Sequence, residues 1–316
     1  MTDLAASASS IYIAPAAGPA AEAAPVAPAV PKLAPSARKS RPARTALAVP
    51  FRPGLWLAGA FVLLLAIAAL APGLLTGGDP LEASARDAFL APGPQHLLGT
   101  DENGRDVLTR LIYGARGSVL MGLAATAIGL GGGVAIGLAA GLGRRLLDGL
   151  LMRFVDVLLA FPDLLLALVI ITFWGQGLLN AVIAVGVASI PRYARLVRAQ
   201  TEKVRGSAYV EAAVTLGIRR STIIWRHVLP NAIKPVLLLA TIGIGGKIAA
   251  GASLSFLGFG APPPAPEWGA MLAVGRNFLS NASWLVAAPA LAITLTVISV
   301  TTLGRELMRR SEGRKS

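Results

Sequence analysis

The stretch Gly117-Ser-Val-Leu-Met-Gly-Leu-Ala-Ala-Thr-Ala-Ile-Gly-Leu-Gly-Gly-Gly-Val-Ala-Ile-Gly-Leu-Ala-Ala-Gly-Leu-Gly143 carries no charged side chain. About 20 apolar residues suffice for a helix to cross the hydrocarbon core of a bilayer, so this run predicts a transmembrane helix over about Ser118–Leu142. Gly129, Gly133, Gly137 and Gly141 recur every fourth residue. They fall on one helical face, where missing side chains let another helix approach closely. Working outward, further uncharged runs occupy Pro53–Gly78, Pro235–Gly246 (resuming after Lys247) and Asn277–Gly304. The chain is 54% hydrophobic and only 14% charged, against about a quarter charged in an ordinary soluble domain. The sequence therefore reads as an all-α polytopic membrane protein.

Its charge is uneven. Lys and Arg number 29 against 16 Asp and Glu, for a net charge of +13. Such an excess invites a nucleic-acid reading, but the basic residues gather at the ends of apolar runs, as the positive-inside rule requires. We therefore expect a lipid bilayer as partner and no nucleic acid. Cysteine is absent, which excludes disulfides, thiol catalysis and cysteine-ligated metals in this chain. Residues 1–50 are rich in Ala and Pro and are expected to form a disordered cytoplasmic arm. A basic cluster (Lys32, Arg38, Lys39, Arg41, Arg44 and Arg52) then leads into a first span near Leu55–Leu75, read as a retained anchor rather than a signal peptide.

The segment from Asp79 to Arg116 has mixed charge and is placed outside; residues 51–116 thus hold the first helix and an external segment. Asp101, Asn103 and Gly104 suit a turn, and an amphipathic surface helix is expected from Arg105 onward. One histidine, His96, among these acids is too few for a metal site. Arg144, Arg145 and Arg153 return the chain to the inside. Leu150 to Val197 is divided into spans at about 154–173 and 178–197, because the basic clusters on either side must share a face of the membrane. Asp156 and Asp163 near the inner end are expected to pair with Arg153 or with helix ends. The fifth span, about Pro235–Gly258, contains Lys247; a charge at that depth costs at least about 2.5–3.5 kcal/mol on insertion scales. Lys247, with Ser253 and Ser255, is a candidate for the translocation path, and an ion pair to another helix is the alternative. The sixth span is about Trp284–Leu303, and residues 305–316 form a basic cytoplasmic tail. The segments placed outside carry only Arg86, Arg105, Arg110, Arg116 and Arg276 as basic residues.

Between the fourth and fifth spans lies a polar loop, residues 203–234. Its centre, Tyr209 to Asn231, reads as two short helices. Ser207 can cap the first, Gly217 suits the left-handed position that ends it, and Pro230 is expected to stop the second. Ala212 and Ala213 offer a small-residue face over which another protein could close. On the residues alone, an ordinary amphipathic loop between spans remains open.

The spacing Glu211-Ala212-Ala213, then Gly217, then His227-Val228-Leu229-Pro230-Asn231 resembles the cytoplasmic "EAA" loop of ABC importer permeases, with His227 where the general pattern has isoleucine. His96 to Arg116, including Gly99, Thr100, Asp101, Gly104, Arg105 and Asp106, resembles the "HxLGTDxxGRDxxSRxxYGAR" stretch of the dipeptide/oligopeptide/nickel branch of that family, with Thr109 in place of serine. Arg153 to Pro162, and Ser253-Leu-Ser255-Phe-Leu-Gly258 with Trp268-Gly269, resemble it as well. A glutamate that the family often carries ahead of the latter segment is missing here, as is its acidic, Asp-Pro-ended tail.

The resemblance implies a type I ABC importer permease fold with six transmembrane helices, cytoplasmic termini and a transmembrane core over 117–304. It further implies a cell inner membrane location, a second homologous permease subunit, two ABC ATPase subunits seated on the Glu211–Asn231 loop, and an extracytoplasmic substrate-binding protein. Peptides lead as substrate, with nickel chelates, glutathione-like peptides and opines as alternatives. No catalytic, cofactor-binding or metal residue is expected in this chain; ATP and Mg would reside in the ATPase subunits. Its one imitation of a P-loop, around Gly246-Lys247, has Thr241 and Ile248 where Gly and Ser or Thr belong. An ion-coupled secondary transporter would need intramembrane acids or paired broken helices, and a membrane enzyme would need polar groups clustered at one face.

Overall fold

The computed structural model describes residues 53–311 and residue 313. The expected disordered arm at 1–50, the basic cluster from Lys32 to Arg52, and Arg314 and Lys315 of the tail lie outside the described residues. Among those described the chain is helical with no strand, apart from one bridge between Thr100 and Asp106. The order is α1 (Pro53–Leu70), α2 (Val107–Leu142), α3 (Arg145–Leu159), α4 (Asp163–Trp174), α5 (Leu178–Arg205), α6 (Ala208–Thr215), the single turn α7 (Arg220–Thr222), a π-helical turn (Ile223–Val228), α8 (Leu229–Phe256), α9 (Trp268–Gly275) and α10 (Trp284–Ser311).

Four helical stretches are long and apolar enough to cross a membrane: Pro53–Leu70, Val107–Leu142, Arg220–Phe256 and Trp284–Ser311. The expected single span at 154–173 is instead two helices, α3 and α4, bent by 95° at their junction. Pro162 explains the break: its ring disfavours helical backbone at Phe161, and it has no N–H to continue the ladder. α5 has the length for the expected fourth span but is amphipathic, its second half carrying Arg192, Arg195, Arg198, Lys203 and Arg205. The surface helix expected from Arg105 is also different, because it merges with the second span. α2 runs unbroken from Val107, with Asp106 as its N-cap, the carboxylate accepting the Thr109 N–H at 2.8 Å.

α2 and α5 form the centre, and glycine decides how they meet. A Cβ on Gly129 would lie 2.1 Å from Ser189 Oγ, on Gly133 2.3 Å from Tyr193 Cβ, on Gly137 2.5 Å from the Ala194 carbonyl oxygen, and on Gly141 2.8 Å from Thr201 Cβ. Both series advance together along the chain, so the helices run parallel with matched four-residue periods. α8 meets the earlier part of α2 by the same means: Gly122 sits against Ile248, and Gly251 against Met121. In a bilayer no hydrophobic force separates helix from lipid, so such close backbone approach and its dispersion contacts hold the helices together. Packing across this centre buries Met121, Ala125, Ile171, Ala181, Val185 and Leu254.

Candidate functional site

The expected coupling loop is a compact unit with its own small core. Val210, Ala213, Ile223 and Val228 are buried together, with Leu142 of α2 and Val204 of α5 packed against them. α6 ends as its sequence requires. Gly217 has φ +74°, the Ile218 N–H reaches the Ala213 carbonyl at 3.1 Å, and the Gly217 N–H reaches that of Val214 at 3.0 Å. This is the paired closure that a left-handed glycine permits. Ser207 occupies the N-cap position of α6 without capping it by its side chain; its hydroxyl donates backward to the Val204 carbonyl.

Two further expectations for the loop are corrected. Pro230 does not stop the second helix. It lies in the first turn of α8, and the helical path continues through the π turn, so that Arg220–Phe256 is one rod of 37 residues. The wider π turn just ahead of the proline accommodates a residue that lacks an N–H and crowds the carbonyl four positions back. Nor do Ala212 and Ala213 share a surface: Ala213 is buried in the loop's core, whereas Ala212 is exposed beside Glu211. His227 is half-buried, with its ring 6.4 Å from that of Tyr209, and its carbonyl accepts from Asn231 Nδ2 at 2.7 Å. Leu229 is half-buried and Pro230 exposed.

Two arginines fasten the loop to α2. Arg205 Nη1 donates to the Gly141 carbonyl at 3.1 Å and Arg220 Nη2 to that of Leu142 at 3.1 Å. These carbonyls end α2 without intrahelical partners, at the negative end of its dipole, where guanidinium is favoured. The outward face of the loop is apolar for a polar segment: Leu216 is 79% exposed, Trp225 71% and Val214 61%.

Higher in the bundle, three arginines of α5 meet three aspartates of α3 and α4. Arg198 binds Asp148 through two bonds of 2.5 and 2.6 Å, Arg195 pairs with Asp156, and Arg192 reaches Asp163 at 3.1 Å. Asp156 and Asp163 thus pair with α5 rather than with Arg153. Lys247 of α8, buried, makes the interhelical ion pair that stood as the alternative to a path role, its Nζ 3.7 Å from Asp163 Oδ2. The other candidate path residues are not gathered beside it. Ser253 is exposed and donates to the Ala249 carbonyl, while Ser255 is buried with Oγ unpartnered, facing Gly260 and Gly269.

The external motif is a folded knot. Gly99 and Gly104 have φ of +73° and +72°, and a Cβ on Gly104 would lie 1.8 Å from the Ser84 carbonyl oxygen. Thr100 is fully buried; its hydroxyl donates to the Asp87 carbonyl and accepts the Leu90 N–H. Asp101 accepts from the N–H groups of Asn103 and Arg105, each at 2.9 Å, and faces Arg110 Nε at 3.4 Å. Asp106 also contacts His96 Nδ1 at 3.0 Å. Trp284 at the start of α10 donates to the Thr100 carbonyl.

Glu267, which the sequence reading did not single out, is buried against α2 near Gly117. It caps α9 through the N–H groups of Gly269 and Ala270 and accepts from Ser118 of α2. Its signal was the acidic residue just ahead of Trp268 at a helix start. No group of three or more His, Asp or Glu arranged to hold a metal occurs among the described residues.

These features can be set beside known proteins. A family model described as "binding-protein-dependent transport system inner membrane component" matches residues 133–315. The dipeptide transport system permease protein DppC of Alkalihalophilus pseudofirmus is 39% identical over 251 residues, covering 79% of this chain and 81% of that protein. The di/tripeptide transport system permease protein DppC of Pseudomonas aeruginosa is 41% identical, covering 77% and 82%. The glutathione transport system permease protein GsiD of Escherichia coli is 44% identical over 213 residues, covering 67% and 70%. An inward-facing structure of the MetNI methionine ABC transporter has a TM-score of 0.54 at 20% identity, over 64% of this chain and 95% of that one; at this identity it speaks to the fold alone.

The chain belongs to the family of inner membrane components of binding-protein-dependent transport systems. It is a permease subunit of an ABC importer, and its family works by transport rather than by enzymatic turnover.

Proposed function

We propose that this subunit forms half of a path for short peptides and couples it to ATP hydrolysis through residues 203–234. The observation that carries the coupling role is the mismatch within that loop. A closed apolar core is already complete within the loop, yet Val214, Leu216 and Trp225 remain largely exposed, apolar side chains that a partner's groove would cover. A groove on an ATPase subunit is the partner we assign to it, with Glu211 and Ala212 at the contact. The assembly we propose has a second homologous permease, two ATPase subunits that bind ATP and Mg, and an extracytoplasmic binding protein; this chain binds no cofactor. The peptide assignment follows the named cargo of the dipeptide, di/tripeptide and glutathione relatives. The third of these supports a glutathione-like peptide as the second reading.

We place the subunit in the bacterial inner membrane with six crossings, α5 and the bent α3–α4 pair supplying two of them, and with both termini cytoplasmic. The permease core is then 117–304, preceded by the external segment and followed by the basic tail. Transport follows alternating access: the loop is held differently in the two ATPase states, and that difference in contact free energy shifts the spans. The test is peptide uptake into vesicles by the whole importer carrying Glu211→Lys or Gly217→Asp. Uptake should fall at least tenfold with unchanged membrane abundance of the subunit, and uptake at the unmodified rate would refute the coupling role.

A further inference from the structure

One group of charges within the bundle does not balance. Asp163 opens α4 directly after the bend, and two cations from different helices converge on its one carboxylate. Arg192 Nη2 lies 3.2 Å from Oδ1 and 3.1 Å from Oδ2, and Lys247 Nζ lies 3.7 Å from Oδ2. The Lys247 contact is an ion pair longer than a hydrogen bond, so its N–H donors are not satisfied by Asp163. Among the described residues the other ionic pairs of this region are spoken for: Asp156 by Arg195, and Asp148 by Arg198. Lys247 and Arg192 thus share the single carboxylate of Asp163, two positive charges to one negative. The group is also open on one side. Lys247 is 11% exposed in its side chain, Asp163 31% and Arg192 68%, which gives a graded approach from Arg192 inward. An unbalanced cation between apolar spans is costly, and one further anion would neutralise it.

We infer that Arg192 and Lys247 form an anion-binding station that takes a carboxylate of the transported solute, with Asp163 holding the two cations when no solute is present. This rests on the reading of the chain as part of a peptide importer, since a short peptide carries a free carboxylate. The guanidinium of Arg192 meets the solute first, and Lys247 supplies the second contact; charge-assisted bonds of this kind are about twice as strong as neutral ones. Solute release returns both cations to Asp163, so the bound state is never the only low-energy arrangement.

The test uses the membrane complex of both permeases and the ATPase subunits, purified without the binding protein, and reads its thermal stabilisation by Ala-Ala and by Ala-Ala-amide. Unmodified complex should respond to the free acid at about a tenfold lower concentration than to the amide. Lys247→Met and Arg192→Gln should abolish that difference, and Lys247→Arg should keep it. Equal responses to acid and amide, no response to either, or a difference that survives in both Lys247→Met and Arg192→Gln would overturn the station. ATP-driven uptake of Ala-Ala with the binding protein present reports separately on the importer reading. Normal uptake without an acid–amide difference refutes the station alone. Absence of peptide uptake refutes the peptide reading, while the stabilisation assay still judges the station.

Discussion

Gly104 and Gly217 both have positive φ, yet they are not equivalent. A Cβ at Gly104 meets the Ser84 carbonyl at 1.8 Å, whereas at Gly217 it meets open space. Gly217→Ala therefore carries only the backbone penalty, about 1 kcal/mol. Gly104→Ala adds a clash with backbone that cannot move without opening the knot. We expect Gly217→Ala to lower the melting temperature of the detergent-purified subunit slightly, and Gly104→Ala to reduce its membrane abundance several-fold. At this scale the sequence was legible where a residue's need is local. Gly217 announces its own conformation. Lys247 announces only a cost, because its partner Asp163 lies on another helix and no spacing rule links the two. Ser253 and Ser255 were grouped with Lys247 by proximity in sequence, and helical rotation sends Ser253 to the surface and Ser255 into a packed contact.

Elements were legible where pattern outweighs context. The four-residue glycine repeat of α2 foretold a close helix contact, though not that α5 answers it with Ser189, Tyr193, Val197 and Thr201. Gly133→Leu should force α2 and α5 apart and destabilise the bundle by about 1–3 kcal/mol or more. Gly131→Leu should be tolerated, since nothing lies within 4 Å of a Cβ there; thermal melting of the two variants makes the comparison. Proline was harder to read. At Pro162 the helix breaks by 95°, while at Pro230 it continues, because the π turn supplies room that no propensity scale encodes. The fastening of the loop to α2 was hidden as well, since an arginine on a loop looks the same whether it caps a distant helix or faces water. Arg205→Gln combined with Arg220→Gln removes both contacts to the end of α2. Amide hydrogen exchange across residues 208–228 should then accelerate about tenfold, an opening cost of about 1.4 kcal/mol.

For the molecule as a whole, composition gave the class, because it sums over many positions and tolerates local error, and the distribution of basic residues carries the proposed sidedness. The number of crossings turns on one bent pair and one amphipathic helix, neither of which a sum over composition resolves. The absence of cysteine makes sidedness and partnership directly testable. A single Leu216→Cys should be labelled by an impermeant maleimide from the cytoplasmic side in membranes lacking the ATPase subunits, and protected when they are added. Labelling from the opposite side would reverse the proposed topology.

The unbroken helical path from Arg220 to Phe256 has a mechanical meaning. At 1.5 Å per residue its 37 residues make a stiff lever of about 55 Å. Arg220, half of the arginine clamp on the end of α2, opens the rod and sets its fulcrum; Trp225 lies about 8 Å along it and Lys247 about 41 Å. On the coupling proposed above, we expect a push of an ångström or two at Trp225 to be multiplied about fivefold at Lys247, enough to shift that ammonium relative to Asp163.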